Sequence, residues 1–287
     1  MVLIVFNDFI LSCGIGMGPL VQTAPTPMMN HFPVWSPTEN LIVFDSDRDG
    51  DSEVYLIDPD IGTLRKLTDN RAADGSARWT RDGKFILFKS DRDGTLKMFQ
   101  MRPDGSDQRA INNYDESVES ISPDDRTVLV ISTKVGNSVV SAMVADGTQI
   151  QLTSGSFASQ PSFSPDGLRI VYEDRAGDDI SKSAIKVMNR DGSNTRRLAD
   201  GTDPAWSPDG SLILFKTPTS QAGGFGWQIA TIHPDGSSLT RLETGVHPSW
   251  SPDGLRIAFM RETNPDRSDI WVMSREGIKR RCLTCAH

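Results

Sequence analysis

Histidine and cysteine are scarce in this 287-residue chain, with four of the first and three of the second. His31, His233, His247 and His287 are too few and too scattered for a multi-histidine metal centre, and no HExxH pair is present. Cys13, Cys282 and Cys285 make an odd count, which excludes a full disulfide framework. Cys282-Leu283-Thr284-Cys285 is an isolated CxxC. A redox motif of that spacing opens a helix in a βαβ unit, and a zinc site draws on a second ligand pair. Neither context surrounds it, so these thiols are expected to be packing groups. Positive charge is also short: 30 Lys and Arg stand against 38 Asp and Glu, a net charge of −8. That balance disfavours nucleic acid or an anionic membrane as partner, since both want a basic patch. No long apolar run occurs. Met1 to Leu11 is the best candidate, and Asn7 and Asp8 break it well short of a membrane span. There is no G-x-S-x-G elbow and no sustained 3.6-residue periodicity, which leaves no pattern for a hydrolase domain or a helical fold.

The first 32 residues read as an arm or a degenerate signal. A secretory signal carries a basic start, yet the first cation is Arg48. Leu11-Ser12-Cys13-Gly14 has the form of a lipoprotein processing site. Gln22 to Pro27 is a Pro/Thr-rich linker. Gly14, Gly16 and Gly18 are not a dinucleotide fingerprint, because Pro19 follows them.

What the chain has in abundance is one pattern. P-x-W-S-P-D-G stands in full or in part at Pro33–Pro37, Ala77–Gly83, Glu119–Asp124, Pro161–Gly167, Pro204–Gly210 and Pro248–Gly254. Its Ser/Thr positions (36, 80, 122, 164, 207 and 251) are 44, 42, 42, 43 and 44 residues apart. Nine residues after each bulky position comes a second apolar one: Trp35/Phe44, Trp79/Phe88, Ile121/Val130, Phe163/Tyr172, Trp206/Phe215 and Trp250/Phe259. Each copy holds four short strand-like runs separated by Pro, Asp and Gly turns. Six such copies predict an all-β, six-bladed β-propeller with four antiparallel strands per blade. The blades fall at about 33–76, 77–118, 119–160, 161–203, 204–247 and 248–287. The bulky positions are expected to be inter-blade core.

W-S-P-D-G, then a strand, then Ser90-Asp91-Arg92-Asp93-Gly94, then Asp-Gly and Leu152-Thr153, resembles TolB-type β-propeller repeats over about residues 33–287. The resemblance implies the propeller fold and a bacterial envelope, periplasmic or secreted setting, with a cytoplasmic one as the alternative. It does not select an activity, because the same repeats occur in envelope proteins, in the caps of oligopeptidase-like enzymes and in oligogalacturonate lyases.

Strand alternation puts the residues entering each first strand at one mouth of a central channel. They are Phe32, Ser76, Val118, Gln160, Asp203 and His247, with Arg78 and Glu119 following closely. Arg78, Glu119, Gln160, Asp203 and His247 are the candidate partner-binding residues, since polar groups converging from several blades form a site. Asp203 and His247, from adjacent blades, suit a cation or a peptide amine. A second candidate is the hairpin Asp45, Asp47, Asp49, Asp51, whose oxygens alternate around Gly50 as Ca²⁺ ligands do. No other cofactor is expected. The leading expectation is a non-catalytic, monomeric module that binds a peptide or protein. The alternatives are a carbohydrate- or ester-acting enzyme using a metal at the same mouth, and a structural propeller without a ligand.

Overall fold

The computed structural model describes residues 28–111, 118–134, 137–144, 147–154, 157–175, 182–219 and 226–285. Cys13 and the processing-site pattern at Leu11–Gly14 lie outside them. Twenty-four β-strands occupy the described residues, with no α-helix among them. The first unit is β1 (Asn30–Trp35), β2 (Ile42–Ser46), β3 (Glu53–Ile57) and β4 (Leu64–Lys66). The second is β5 (Asp74–Trp79), β6 (Ile86–Ser90), β7 (Lys97–Met101) and β8 (Arg109–Ala110). The third is β9 (Val118–Ile121), β10 (Thr127–Lys134), β11 (Asn137–Val144) and β12 (Gln149–Gln151). The fourth is β13 (Phe157–Phe163), β14 (Arg169–Arg175), β15 (Ser183–Asn189) and β16 (Arg196–Asp200). The fifth is β17 (Thr202–Trp206), β18 (Ile213–Pro218), β19 (Trp227–Ile232) and β20 (Thr240–Thr244). The last is β21 (Val246–Trp250), β22 (Arg256–Asn264), β23 (Arg267–Ser274) and β24 (Arg281–Cys282).

Each unit is an antiparallel meander, strand beside next strand. A single parallel bridge, Ser138 to Phe157, joins the third and fourth units into one eight-stranded sheet. The other four sheets are separate. β1 starts at Asn30, three residues before the expected boundary, because Met28 bridges Arg267 and Ser268 N–H donates to Met28 C=O.

The repeat motifs have local physical causes. In S-P-D-G turns the Ser207 hydroxyl donates to Asp209 Oδ1 at 2.5 Å and accepts Leu212 N–H at 2.9 Å, which closes the β-turn with side chains. The threonines of three L-T pairs each cap a third strand. Thr68, Thr153 and Thr284 Oγ1 accept the N–H of Val54, Val140 and Ile270 at 2.8, 2.9 and 3.0 Å. The arginine of D-R-D-G folds back over its own sheet. Arg92 lies 5.2 and 4.8 Å from the Phe88 and Phe99 ring centroids and pairs with buried Asp74 at 2.6 Å. Arg48 covers Phe44 and Tyr55 in the same way.

The second member of every nine-residue pair is core as expected, while among the first members Trp79 is half-buried and Ile121 is exposed. Phe44, Phe88, Val130, Tyr172, Phe215 and Phe259 are all buried. Trp35, Phe163, Trp206 and Trp250 are buried too, and each packs on the preceding unit. Indole N–H groups stitch three of these seams: Trp79 to Val34 C=O, Trp206 to Ser162 C=O and Trp250 to Ala205 C=O, at 3.1–3.4 Å. The first unit meets the last through a shared cluster of Trp35, Ile42, Phe44, Tyr55 and Ile57 with Ala258, Ile270 and Val272.

One sequence expectation fails. Cys282 and Cys285 form a disulfide rather than a pair of packed thiols. The three-residue separation brings the sulfurs together where the chain turns out of β24.

Candidate functional site

In five of the six first strands the pairing slips near the middle. The shifts fall between His31 and Val34, Gly75 and Arg78, Ser159 and Ser162, Thr202 and Ala205, and Val246 and Ser249. A β-bulge of this kind bends the strand and re-aims a side chain. Each bulge holds one non-glycine residue in the left-handed region: Phe32 (φ 51°), Ser76 (54°), Gln160 (50°), Asp203 (57°) and His247 (52°). That conformation is costly for residues with a Cβ, and such outliers concentrate at functional positions. These five are the residues assigned from sequence to the entry of each first strand. For Val118, the sixth, only the backbone is described; β9 pairs irregularly there with β10.

Side chains from adjacent units touch one another along this row. Gln160 Nε2 donates to Asp203 Oδ1 at 2.8 Å. Asp203 Oδ2 lies 4.0 Å from His247 Nδ1. The His247 ring lies 4.4 Å, centroid to centroid, from the half-exposed Phe32 ring. Four consecutive units, from the fourth round to the first, are thus linked by one chain of contacts. Arg78 and Glu119 belong to the second and third units. Desolvation raises the Glu119 carboxyl above its usual range against the pull of the Arg78 charge.

A second layer of residues, not singled out from sequence, supports the first. These side chains follow the buried aromatic or aliphatic position of each second strand: Asp45, Lys89, Ile131, Glu173, Lys216 and Met260. Lys216 Nζ pairs with Asp203 Oδ2 at 2.6 Å and lies 5.1 Å from the Trp227 ring centroid. Buried Asp45 accepts the N–H of Ser76 at 2.6 Å and of Ala77 at 3.3 Å, and so pins the next unit's bulge. Burial pushes its carboxyl up to about 7 despite those two amides. Glu173 is held by the Ser183 hydroxyl at 2.8 Å and is raised by desolvation. The available signal was a charged residue inside an apolar strand, present in four of the six copies. His247 is held below its usual range, first by desolvation, then by the Lys216 charge, with Asp203 opposing. Its imidazole is therefore neutral at pH 7.

The acidic hairpin is distributed differently. Asp45 faces the neighbouring bulge. Asp47 Oδ1 accepts Met29 N–H at 2.6 Å. Asp49 accepts the Tyr55 hydroxyl and lies 3.4 Å from Lys66 Nζ. Asp51 is half-buried at the turn.

Repeated four-stranded antiparallel sheets, packed face to face through their bulky residues, define an all-β protein of the propeller type. The chain belongs to the TolB β-propeller domain family, whose model matches residues 18–201. No curated protein sequence matches it. Among solved structures it is similar to TolB from Acinetobacter baumannii, at 19% identity and a TM-score of 0.61. That match takes in 86% of this chain and only 61% of the Acinetobacter protein. A protein of Agrobacterium tumefaciens provisionally assigned as TolB matches at 20% identity and a TM-score of 0.57, over 87% of this chain and 91% of its own. An oligogalacturonate lyase in complex with manganese matches at 12% identity and 0.52, over 88% and 77%. At these identities the likeness concerns the fold. No helix among the described residues is long and apolar enough to cross a membrane.

Proposed function

We propose that this chain is a six-bladed propeller whose channel mouth binds a peptide or protein segment without chemistry. The contact chain Gln160–Asp203–His247–Phe32 carries the reading. It offers an amide, a carboxylate, a neutral imidazole and an exposed aromatic face within one continuous row drawn from four units. That mixture suits an extended peptide, which presents amides, apolar side chains and an occasional charge. The six four-stranded units and the shared core of the first and last support six blades in a ring. A metal at the mouth gains less support, because the Lys216 ammonium stands beside the Asp203 carboxylate. Calcium at Asp45–Asp51 gains less as well, because Asp45, Asp47 and Asp49 turn to separate partners, Ser76, Met29 and Tyr55, rather than to one point. The Cys282–Cys285 disulfide supports an envelope or secreted setting.

A photo-crosslinking side chain at Ser76, on the mouth, should capture a discrete partner in cells. The same group at Ser237, in a turn between a third and fourth strand, should not. Capture should disappear with Asp203→Ala/His247→Ala. Equal capture from both positions, or capture that survives the double substitution, would overturn the reading.

A further inference from the structure

Away from the mouth, a buried carboxylate lies against both disulfide sulfurs. Asp269, in β23, is 1% exposed. One of its oxygens and the sulfurs of Cys282 and Cys285 all lie within 4.8 Å of one another. Among the described residues no other three histidine, cysteine or acidic side chains gather so closely. Arg267 grips Asp269 with two parallel hydrogen bonds, Nε to Oδ2 at 2.9 Å and Nη2 to Oδ1 at 3.1 Å. The Thr284 hydroxyl donates to Oδ1 at 3.0 Å and the Thr263 hydroxyl to Oδ2 at 3.2 Å. Cys285 N–H points at Cys282 Sγ, 2.9 Å away.

We propose that, once the disulfide is reduced, Cys282, Cys285 and Asp269 form a zinc site. A dithiol reductant supplies two electrons and two protons to the S–S bond, which opens to two thiols while the reductant becomes a disulfide. Zn²⁺ then replaces both thiol protons, which pass to solvent. The CxxC spacing is that of a zinc-binding turn, and a carboxylate oxygen is an accepted third ligand. The Cys285 amide is already aimed to stabilise a thiolate at Cys282. Charge closes at this site: two thiolates and one carboxylate are balanced by Zn²⁺ and the Arg267 guanidinium. A buried cluster balanced in this way escapes the cost of an uncompensated interior charge. Arg267 and Thr263 hold the carboxylate as outer partners of metal ligands do, and the metal takes the place of the Thr284 hydroxyl, which stands between the two cysteines in the chain. Three protein ligands leave a fourth tetrahedral position. The groove between the first and last units, lined by Ile57, Asp60, Leu64, Arg281 and Leu283, runs beside the sulfurs and admits water to it. The same three side chains therefore make a metal-free clasp under oxidising conditions and a metal site under reducing ones.

The test uses the full chain, reduced with dithiothreitol, freed of reductant without oxygen, and titrated with Co²⁺ as a coloured substitute for Zn²⁺. One equivalent should give a thiolate-to-cobalt charge-transfer band and the visible bands of a tetrahedral ion, both erased by Zn²⁺. The oxidised protein should give neither. Asp269→Asn should weaken binding at least about tenfold, and Arg267→Gln, which leaves all three ligands in place, by about 10–100-fold. Absence of the charge-transfer band in reduced wild type overturns the proposal. So does wild-type affinity in Asp269→Asn or, if that variant does not fold, in Arg267→Gln.

Discussion

The seam between the fourth and fifth units and the seam between the second and third solve the same problem by different means. At the first, Trp206 packs with Phe215, Ile213, Val171, Ile185 and Val187, and its indole N–H reaches Ser162 C=O. Beyond it, in the turns, Pro165 lies against Gly210, a contact repeated by Pro123 with Gly167 and Pro208 with Gly254. At the second seam, Ile121 replaces the tryptophan and is 43% exposed. Among the described residues no apolar cluster spans that seam. There Arg81 stands where the other five copies have proline, and Asp125 where four copies have glycine. Arg81 donates to Ser122 C=O at 2.8 Å, Pro123 C=O at 3.2 Å and Asp125 Oδ1 at 2.5 Å. Asp125 keeps the glycine's left-handed backbone at φ 56°. One repeat contact has thus been exchanged, partner for partner, from apolar to ionic. A fold built of near-identical units can hold one seam by a weaker and salt-sensitive interaction.

Trp206→Ala should show the largest effect, about 3–5 kcal/mol from a buried large-to-small change. Ile121→Ala should cost well under half as much, because its side chain already meets solvent. Urea melts of both variants check this, and equal losses would break the contrast.

The next effect lies at the seam between the first and second units, where Asp45 pins the Ser76 bulge. Its folded carboxyl keeps a proton up to about pH 7, while in the unfolded chain it ionises near pH 4. The folded state therefore binds the extra proton across that window. This group's stabilising contribution is full below about pH 4 and is lost as pH rises through about 7. Asp45→Asn keeps an acceptor for the amides and removes the ionisation. It should melt higher than wild type at pH 8 and near it at pH 4. A difference independent of pH would remove Asp45 as the cause.

A smaller effect is expected from the Arg81–Asp125 pair. A cycle of Arg81→Ala and Asp125→Asn should give a coupling of about 0.2–1 kcal/mol, as exposed ion pairs do. The coupling should shrink with added salt, and one unmoved by salt would mean that the seam is not held ionically. The smallest effect reads the mouth. Asp203→Asn should lower the His247 pKa further, because Asp203 is the charge that holds it up. An NMR titration of the imidazole tests this, and a rise would show that the two side chains do not sense each other across their seam.

The strand order and the core were legible because two apolar positions recur nine residues apart, and burial on both faces of a sheet demands that regularity. The left-handed bulges were not legible. Phe32, Ser76, Gln160, Asp203 and His247 share no side-chain property that marks the conformation, which is fixed by strand pairing and, at Ser76, by an acid in the preceding unit. The row of bulge residues was read from the register of the repeat, but Lys216 and Glu173 beside it were missed because they sit within strands that otherwise read as core. The disulfide was missed because its spacing has several uses, and local sequence does not choose among them.

At one backbone geometry, repeated five times, this chain carries a phenyl ring, a hydroxyl, an amide, a carboxylate and an imidazole. The bulge therefore works as a socket that is indifferent to what is plugged into it. Residues at these positions can be exchanged while the scaffold keeps its shape, so the chemistry of the row can drift without the fold being rebuilt. A designer could rewrite the row one socket at a time.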